Sequence, residues 1–233
     1  FDISQDANII RVSLGQKKSI NSSAGLIKQY LSFTLKALVK VVTNIKKISP
    51  DVVWISSPPL PVILVSLVIK YIFRVPIVLD IRDIWPESAV NIGKLKKGSF
   101  LEKLGLFLEK ISYSHADEIT CVSSKMKTYI ETKTSKSVST IYNAVSSGEL
   151  AEPIQNFGNP DIFCYAGNIG HAQDIELLVK SFASAKKRKS LSNSYLHILG
   201  DGTLIKNVKK IASELGINKF IKFFGSVPKS EAI

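Results

Sequence analysis

Two stretches of the chain carry residue types and spacings suited to chemistry. In residues 161–180 (DIFCYAGNIGHAQDIELLVK) a short apolar run, residues 162–166, leads into a turn holding Gly167, Asn168 and Gly170. Apolar residues Ile175, Leu177, Leu178 and Phe182 then recur near the helical period. A strand that feeds a glycine turn opening a helix can hold phosphate: glycine lets the backbone come close, and the helix start offers N–H groups and partial positive charge. An ordinary strand-to-helix turn has the same pattern. The second stretch, DIRDIWPES, places Asp80, Arg82, Asp83 and Glu87 around Trp85 at the end of another apolar run. Four charges beside an exposed Trp-Pro are costly to bury without partners, which favours a site. The alternative is an arginine–carboxylate network that ties a loop down.

Composition narrows the partners. The 233 residues are 45% hydrophobic and 21% charged, as in ordinary globular α/β proteins. The net charge of +12 calls for an anionic partner: nucleic acid, acidic lipid or a phosphorylated substrate. The lysines are dispersed instead of forming a block with interleaved aromatics, so no nucleic-acid partner is expected. Cys121 and Cys164 each lie in an apolar run that reads as a buried strand, so both are expected as buried thiols in a reducing compartment. His115, His171 and His197 are not at ligand spacing, and no metal site is expected. The longest apolar run, residues 60–73, contains Lys70 and is too short to span a bilayer. A cytoplasmic chain is expected. It begins at Phe1 and stops at PKSEAI, which reads as a fragment at both ends.

These stretches need elements to position them. A strand is expected over residues 8–14, then a long basic helix over 26–48. Lys28, Ser32, Lys36, Lys40 and Lys47 fall near one stripe of it, either a solvated face or a surface that meets anionic lipid. Residues 51–56 read as a buried parallel strand, ended by the prolines of SSPPLP. A helix (62–73) and a strand (76–81) complete a β–α–β unit with a right-handed crossover. Next come a helix (100–114), a strand (118–123), a helix (125–132) capped by Ser123 or Ser124, and a strand within 139–146. Periodicity breaks over residues 148–160 and the alternation then restarts: a helix to Lys186, a strand over 195–200, the turn Gly200-Asp201-Gly202, a helix over 204–215 and a strand from residue 221. The expected organisation is an N-terminal α/β domain over 1–150, a linker over 151–160 and a second domain over 161–233. Both are doubly wound parallel sheets, facing a shared cleft.

The runs PDVVWISSPPLP, PIVLDIRDIWPES, ADEITCVS and IYNAV, followed by FCYAGNIGHAQDIELLVKSF, LHILGDGT and IKFFGSVPKSEA, resemble bacterial glycosyltransferase family four enzymes of the GT-B fold. The resemblance covers almost the whole chain with the motifs in order, and is nearest to the subgroup building O-antigen, capsule and colanic-acid repeats, including fucosamine-transferase-like enzymes. It implies two Rossmann-like domains, with a nucleotide-sugar donor, UDP-linked, held mainly by the second. Carried over by position, Gly167, Asn168, Gly170 and Gln173 fall where donor diphosphate is bound. Gly200, Asp201 and Gly202 fall on the same side of the cleft, and Gly225, Ser226 and Val227 where the nucleobase packs. Arg82 and Asp83, with Glu87 nearby, fall near the transferred sugar or the acceptor.

The same resemblance implies a retaining, metal-independent transfer of an N-acetylated amino sugar to a lipid-linked saccharide, without a cofactor, at the anionic inner face of the membrane. Asn168 and Gln173 stand where many members carry arginine and lysine, an Asn/Gln form the polysaccharide subgroup shares. The family's N-terminal glycine-rich loop would precede Phe1 and its paired glutamates would follow Ile233, so the fragment alone is expected to be inactive. A GT-B-like sugar-nucleotide epimerase and a non-catalytic nucleotide-sugar-binding scaffold are the rival readings. A nicotinamide dehydrogenase is disfavoured because the third glycine of the dinucleotide fingerprint is missing after Gly170.

Overall fold

The computed structural model describes residues 9–12, 23–144, 161–188 and 190–228. Contacts divide the chain into two units, residues 1–143 and 144–233. The linker expected over 151–160 lies outside the described residues.

In the first unit a 26-residue helix, α1 (Ser23–Ile48), precedes β1 (Val53–Ser57). Then follow α2 (Ile63–Phe73), β2 (Ile77–Ile81), α3 (Glu87–Asn91), α4 (Phe100–His115), β3 (Glu118–Cys121), α5 (Ser124–Glu131) and β4 (Val138–Thr140). The sheet runs β1-β2-β3-β4, all parallel. Strands in this spatial order with right-handed crossovers carry α2, α4 and α5 on one face. α4 starts where Ser99 accepts a hydrogen bond from the Glu102 amide, and α5 where Ser123 accepts from that of Met126. Two clusters hold the unit: Ile45, Ile55, Val65, Ile69 and Ile77 under α1 and α2, and Leu79, Ile81, Tyr113, Ile119, Ile130 and Val138 under α4 and α5.

Register decides what emerges at the sheet's carboxyl edge. Ser57 pairs with Ile81, Ile81 with Cys121, and Cys121 with Thr140, so the four strands end flush. The loops after β1, β2 and β4 therefore leave from one line, and the Arg82 amide donates to the Ser57 carbonyl across it at 2.9 Å.

The second unit contains β5 (Asp161–Ala166), α6 (Ile175–Lys187), β6 (Ser194–Leu199), α7 (Ile205–Glu214) and β7 (Ile221–Gly225), with the parallel order β5-β6-β7. Its core joins Ile175, Val179 and Phe182 of α6, Leu196 and Ile198 of β6, Val208 and Ala212 of α7, and Ile169 from the turn. These strands also finish level: Ala166 pairs with Leu199, and Leu199 with Gly225 across a register shift.

Three expectations are corrected. Cys164 is exposed whereas Cys121 is buried, because among the described residues β5 pairs with β6 on one side only. Among the described residues β1 is at an edge too, and it leaves Trp54 half exposed instead of buried on both faces. Residues 9–12, part of the strand expected over 8–14, are not in a strand, and the rest of that segment lies outside the described residues.

Candidate functional site

The level ends of β5, β6 and β7 build the first cluster. Ala166, Gly167, Asn168, Leu199, Gly200, Asp201, Ser226 and Val227 line one cavity of about 310 Å³. Six of the residues expected to bind the nucleotide-sugar donor thus meet at one sheet edge: Gly167, Asn168, Gly200, Asp201, Ser226 and Val227. The other four support it. Gly225 accepts a hydrogen bond from the Gly200 amide at 2.6 Å and turns with φ of 75°. Asn168 projects between two glycines: a β-carbon on Gly170 would stand 2.9 Å from its Nδ2, and one on Gly202 2.8 Å from its Oδ1. That imagined carbon on Gly170 would also come within 3.1 Å of Gln173 Oε1.

Backbone bonds knit the edge. The Gly167 amide donates to the Leu199 carbonyl at 2.9 Å, the Ile169 amide to that of Asp201 at 3.0 Å, and the Leu204 amide to that of Ile169 at 3.1 Å. The Gly202 amide is taken by the Asp201 carboxylate at 2.7 Å. Several amides that the sequence offered to a phosphate are therefore spent on the edge itself, and the start of α6 carries the carboxylates of Asp174 and Glu176, which leaves side chains at the cavity to meet an anion. Asp174 caps α6, accepting from the Leu177 amide at 3.3 Å, from a left-handed backbone with φ of 45°. Tyr165 fastens the turn by donating its hydroxyl to the Asn168 carbonyl at 2.8 Å.

The second cluster lies at the carboxyl edge of the first sheet. Ser56, Asp80 and Thr120 sit in one in-register row across β1, β2 and β3. Asp80 is 1% exposed. It accepts from Arg82 Nε at 2.7 Å, Thr120 Oγ1 at 2.8 Å and Ser56 Oγ at 3.3 Å. Burial alone would raise its pKa, but the hydrogen bonds from Arg82 and Thr120 and the charge of Arg82 outweigh it, holding the carboxyl below its ordinary range. Arg82, half exposed, also donates through Nη1 to Asn143 Oδ1 at 2.8 Å. A buried carboxylate thus fixes a guanidinium and an amide at the rim, a pairing suited to reading an anion or a sugar hydroxyl.

The charges grouped in DIRDIWPES part company. Asp83 is exposed, and its field, after burial, raises the pKa of Tyr30 on α1. Trp85 is partly covered, with the edge of Tyr30 5.9 Å from it centroid to centroid, and Pro86 is buried against Gly105 of α4. Glu87, at the start of α3, lies near Tyr129 of α5, whose hydroxyl is pushed up to about 12, mainly by burial and further by Glu87. Lys133 joins the same group by reaching Glu109 at 3.3 Å. Nothing in the sequence singles out Ser56, Thr120 or Asn143. Their signal was a polar residue at matching depth in successive strands, visible only with the register known.

Among the described residues, no group of three or more His, Cys, Asp and Glu side chains could hold a metal ion, and no helix is long and apolar enough to cross a membrane.

Comparison with known proteins follows the two units. Residues 18–148 match the model for Glycosyltransferase Family 4, and residues 147–233 that for Glycosyl transferases group 1. The probable glycosyltransferase WbjE of Pseudomonas aeruginosa is 26% identical over 220 residues, covering 90% of this chain and 53% of that protein. The chain thus spans about half the length of that curated relative. Among solved structures, Anabaena HepE in complex with UDP and glucose matches with a TM-score of 0.59 at 15% identity, covering 82% of this chain and 52% of the other. The apo form of the lipopolysaccharide outer core galactosyltransferase WaaB matches with a TM-score of 0.54 at 19% identity, covering 87% and 51%. The fold is that of GT-B glycosyltransferases, built here as two parallel α/β sheets. With its family model spanning residues 18–148 and both sheets of the matching fold, the chain belongs to glycosyltransferase family 4.

Proposed function

We propose that the protein transfers a sugar, an N-acetylated amino sugar, from a UDP-sugar to a lipid-linked saccharide during assembly of a cell-surface polysaccharide such as O-antigen or capsule. The transfer retains anomeric configuration and needs no metal ion. The observation that carries this reading is the cavity at the level ends of β5, β6 and β7, where Gly167, Asn168, Gly200, Asp201, Ser226 and Val227 converge in the half matched by the group 1 model. HepE, of the same fold, was solved with UDP and glucose, and TarM of S. aureus with UDP and α-GlcNAc-glycerol.

On this reading, the Asn168 amide and the backbone at Gly167 face the donor diphosphate as negative charge builds on the leaving group, and Ser226 and Val227 pack against the nucleobase. Such groups are fixed before reaction, so they need no reorganisation when the sugar leaves. In the first unit, Arg82, held by Asp80 and joined to Asn143, meets the acceptor together with Asp83. Glu87, near Tyr129, belongs to the same acceptor side.

α1 supplies the membrane side. It turns Thr34 and Ile45 inward and leaves Leu31, Leu35, Val39 and Val42 exposed on one stripe, flanked by Lys28, Lys36, Lys40 and Lys47. Apolar residues that dip into the interface between lysines that attract anionic headgroups bind a bilayer surface. Failure to bind phosphatidylglycerol vesicles at low salt would remove this part of the reading.

The deciding experiment is calorimetric titration of the full-length protein with UDP-, GDP- and TDP-sugars, with and without EDTA. Binding of a UDP-acetamido sugar, unchanged by EDTA, is expected. Absence of binding by every nucleotide sugar would overturn the transferase reading.

A further inference from the structure

Phe163 and Tyr165 stand two residues apart on β5 and therefore fall on the same face of it. Phe163 meets Phe182 of α6 edge to face, with ring centroids 6.3 Å apart, and Tyr165 packs against the core of the second unit. A phenylalanine would fill the second position as well as the first. Tyrosine adds a hydroxyl, and a hydroxyl at the tip of a packed ring needs a partner. It finds the carbonyl of Asn168, to which it donates at 2.8 Å. Its path crosses Gly167, where a β-carbon would stand 2.9 Å from the Tyr165 hydroxyl oxygen and 3.3 Å from Cζ. Burial raises the pKa of Tyr165, so the hydroxyl remains a donor at neutral pH.

This bond closes a clamp on a single peptide unit. The carbonyl of Asn168 and the N–H of Ile169 belong to one planar group. The Ile169 amide donates to the Asp201 carbonyl at 3.0 Å, so the plane is held from the loop after β6 at one end and from β5 at the other. Ile169 is fully buried, and its own carbonyl accepts from the Leu204 amide at 3.1 Å. Asn168 is exposed and lines the cavity. Its side chain is confined in the gap between Gly170 and Gly202. Without the hydroxyl, the Asn168 end of the peptide can rock about the buried Ile169 and carry the side-chain amide off its place.

We propose that Tyr165 is a positioning residue of this cavity: its hydroxyl, through the Asn168–Ile169 peptide, holds the Asn168 amide where it meets the ligand's phosphates. That the ligand is a nucleotide sugar rests on the transferase reading above; the clamp on Asn168 does not. Tyr165 acts through Asn168 and touches no ligand. Its contribution to binding therefore depends on the Asn168 side chain being present.

The test is a double-mutant cycle on the full-length protein: wild type, Tyr165→Phe, Asn168→Ala and the double variant, titrated calorimetrically with UDP-N-acetylglucosamine. Tyr165→Phe keeps the packed ring, so a melting temperature close to wild type is expected. It should weaken binding about fivefold, the scale of one hydrogen bond, in the wild-type background. In the Asn168→Ala background the same change should alter affinity by less than about twofold. Hydrogen exchange of the free proteins, followed by mass spectrometry, reads the clamp without a ligand. Exchange in peptides covering residues 166–173 should quicken in Tyr165→Phe while peptides from α7 stay unchanged. Unchanged affinity in Tyr165→Phe, or equal weakening in both backgrounds, overturns the proposal, the second result making Tyr165 an independent structural support. Unchanged exchange at residues 166–173 overturns it as well. Wild-type protein that binds no nucleotide sugar, with exchange quickened as expected, sinks the transferase reading and leaves the clamp standing.

Discussion

Gly200 lies so close to Gly167 that a β-carbon on the former would stand 1.8 Å from the carbonyl oxygen of the latter. Gly200 also has φ of 132°, a backbone that L side chains rarely adopt. Any side chain there must part β5 from β6 at the cavity. Gly200→Ala is expected to destabilise the second unit by on the order of 3 kcal/mol and to abolish nucleotide-sugar binding. Gly170→Ala meets only the ends of the Asn168 and Gln173 side chains and should cost about 1 kcal/mol or less. Denaturant melts of the two variants, side by side, check the order.

A carboxylate gripped as Asp80 is should make stability depend on acid in a definite sense. Its folded pKa lies below the ordinary value of 3.8, so it contributes stability above that value, lost as pH falls through the lower folded one. Asp80→Asn should therefore cost about 2 kcal/mol at pH 7, the scale of a hydrogen bond to a charged group, and progressively less as the solution is acidified below pH 4. Urea melts across that range test it; a gap that widens on acidification would mean that Asp80 is not held as an anion.

How much of this was legible beforehand differs between fold and site. The alternation of strands and helices could be read because each parallel strand is a short apolar run and each helix has a periodic face. The positions of Gly167 and Ser226 at one cavity could be anticipated only through resemblance, since nothing in a single sequence states that β5, β6 and β7 end level. Register also hid the Ser56–Asp80–Thr120 row, which combines three segments far apart in the chain. Cys164 misled because an apolar strand at a sheet edge has the same composition as a central one. The glycines of the two turns differ in what they touch, which the sequence does not state. Gly167 and Gly170 border flexible side chains, whereas Gly200 and Gly202 border backbone: a β-carbon on Gly202 would stand 2.3 Å from the Ile169 carbonyl oxygen.

Glu109 should give the opposite pH slope from Asp80. It is 2% exposed, and burial raises its pKa despite the opposing charge of Lys133 and the hydrogen bond from Tyr113 at 3.0 Å. With the folded value above the ordinary 4.5, its stabilising contribution is complete below pH 4.5 and lost as pH rises through the folded value. The Tm of wild type minus that of Glu109→Gln should therefore grow as pH is lowered from 7 to 4.5. A difference that shrinks over this range would mean that the pair with Lys133 outweighs burial.

Asn168 offers the sharpest test of the cavity as a diphosphate site, because a nearly isosteric change reverses its electrostatics. Its side chain fits between Gly170 and Gly202, and Asn168→Asp keeps that shape while placing a carboxylate beside the cavity. Two like charges about 4 Å apart repel by about 4 kcal/mol at an effective dielectric of 20, and open solvent at the cavity mouth reduces this. Donor affinity should fall roughly 10- to 100-fold at low salt, recover in part as ionic strength rises, and leave the melting temperature nearly unchanged. The salt recovery is the decisive feature. Loss through a distorted loop would persist at high salt, and unchanged affinity in calorimetric titration would mean that the phosphates lie elsewhere.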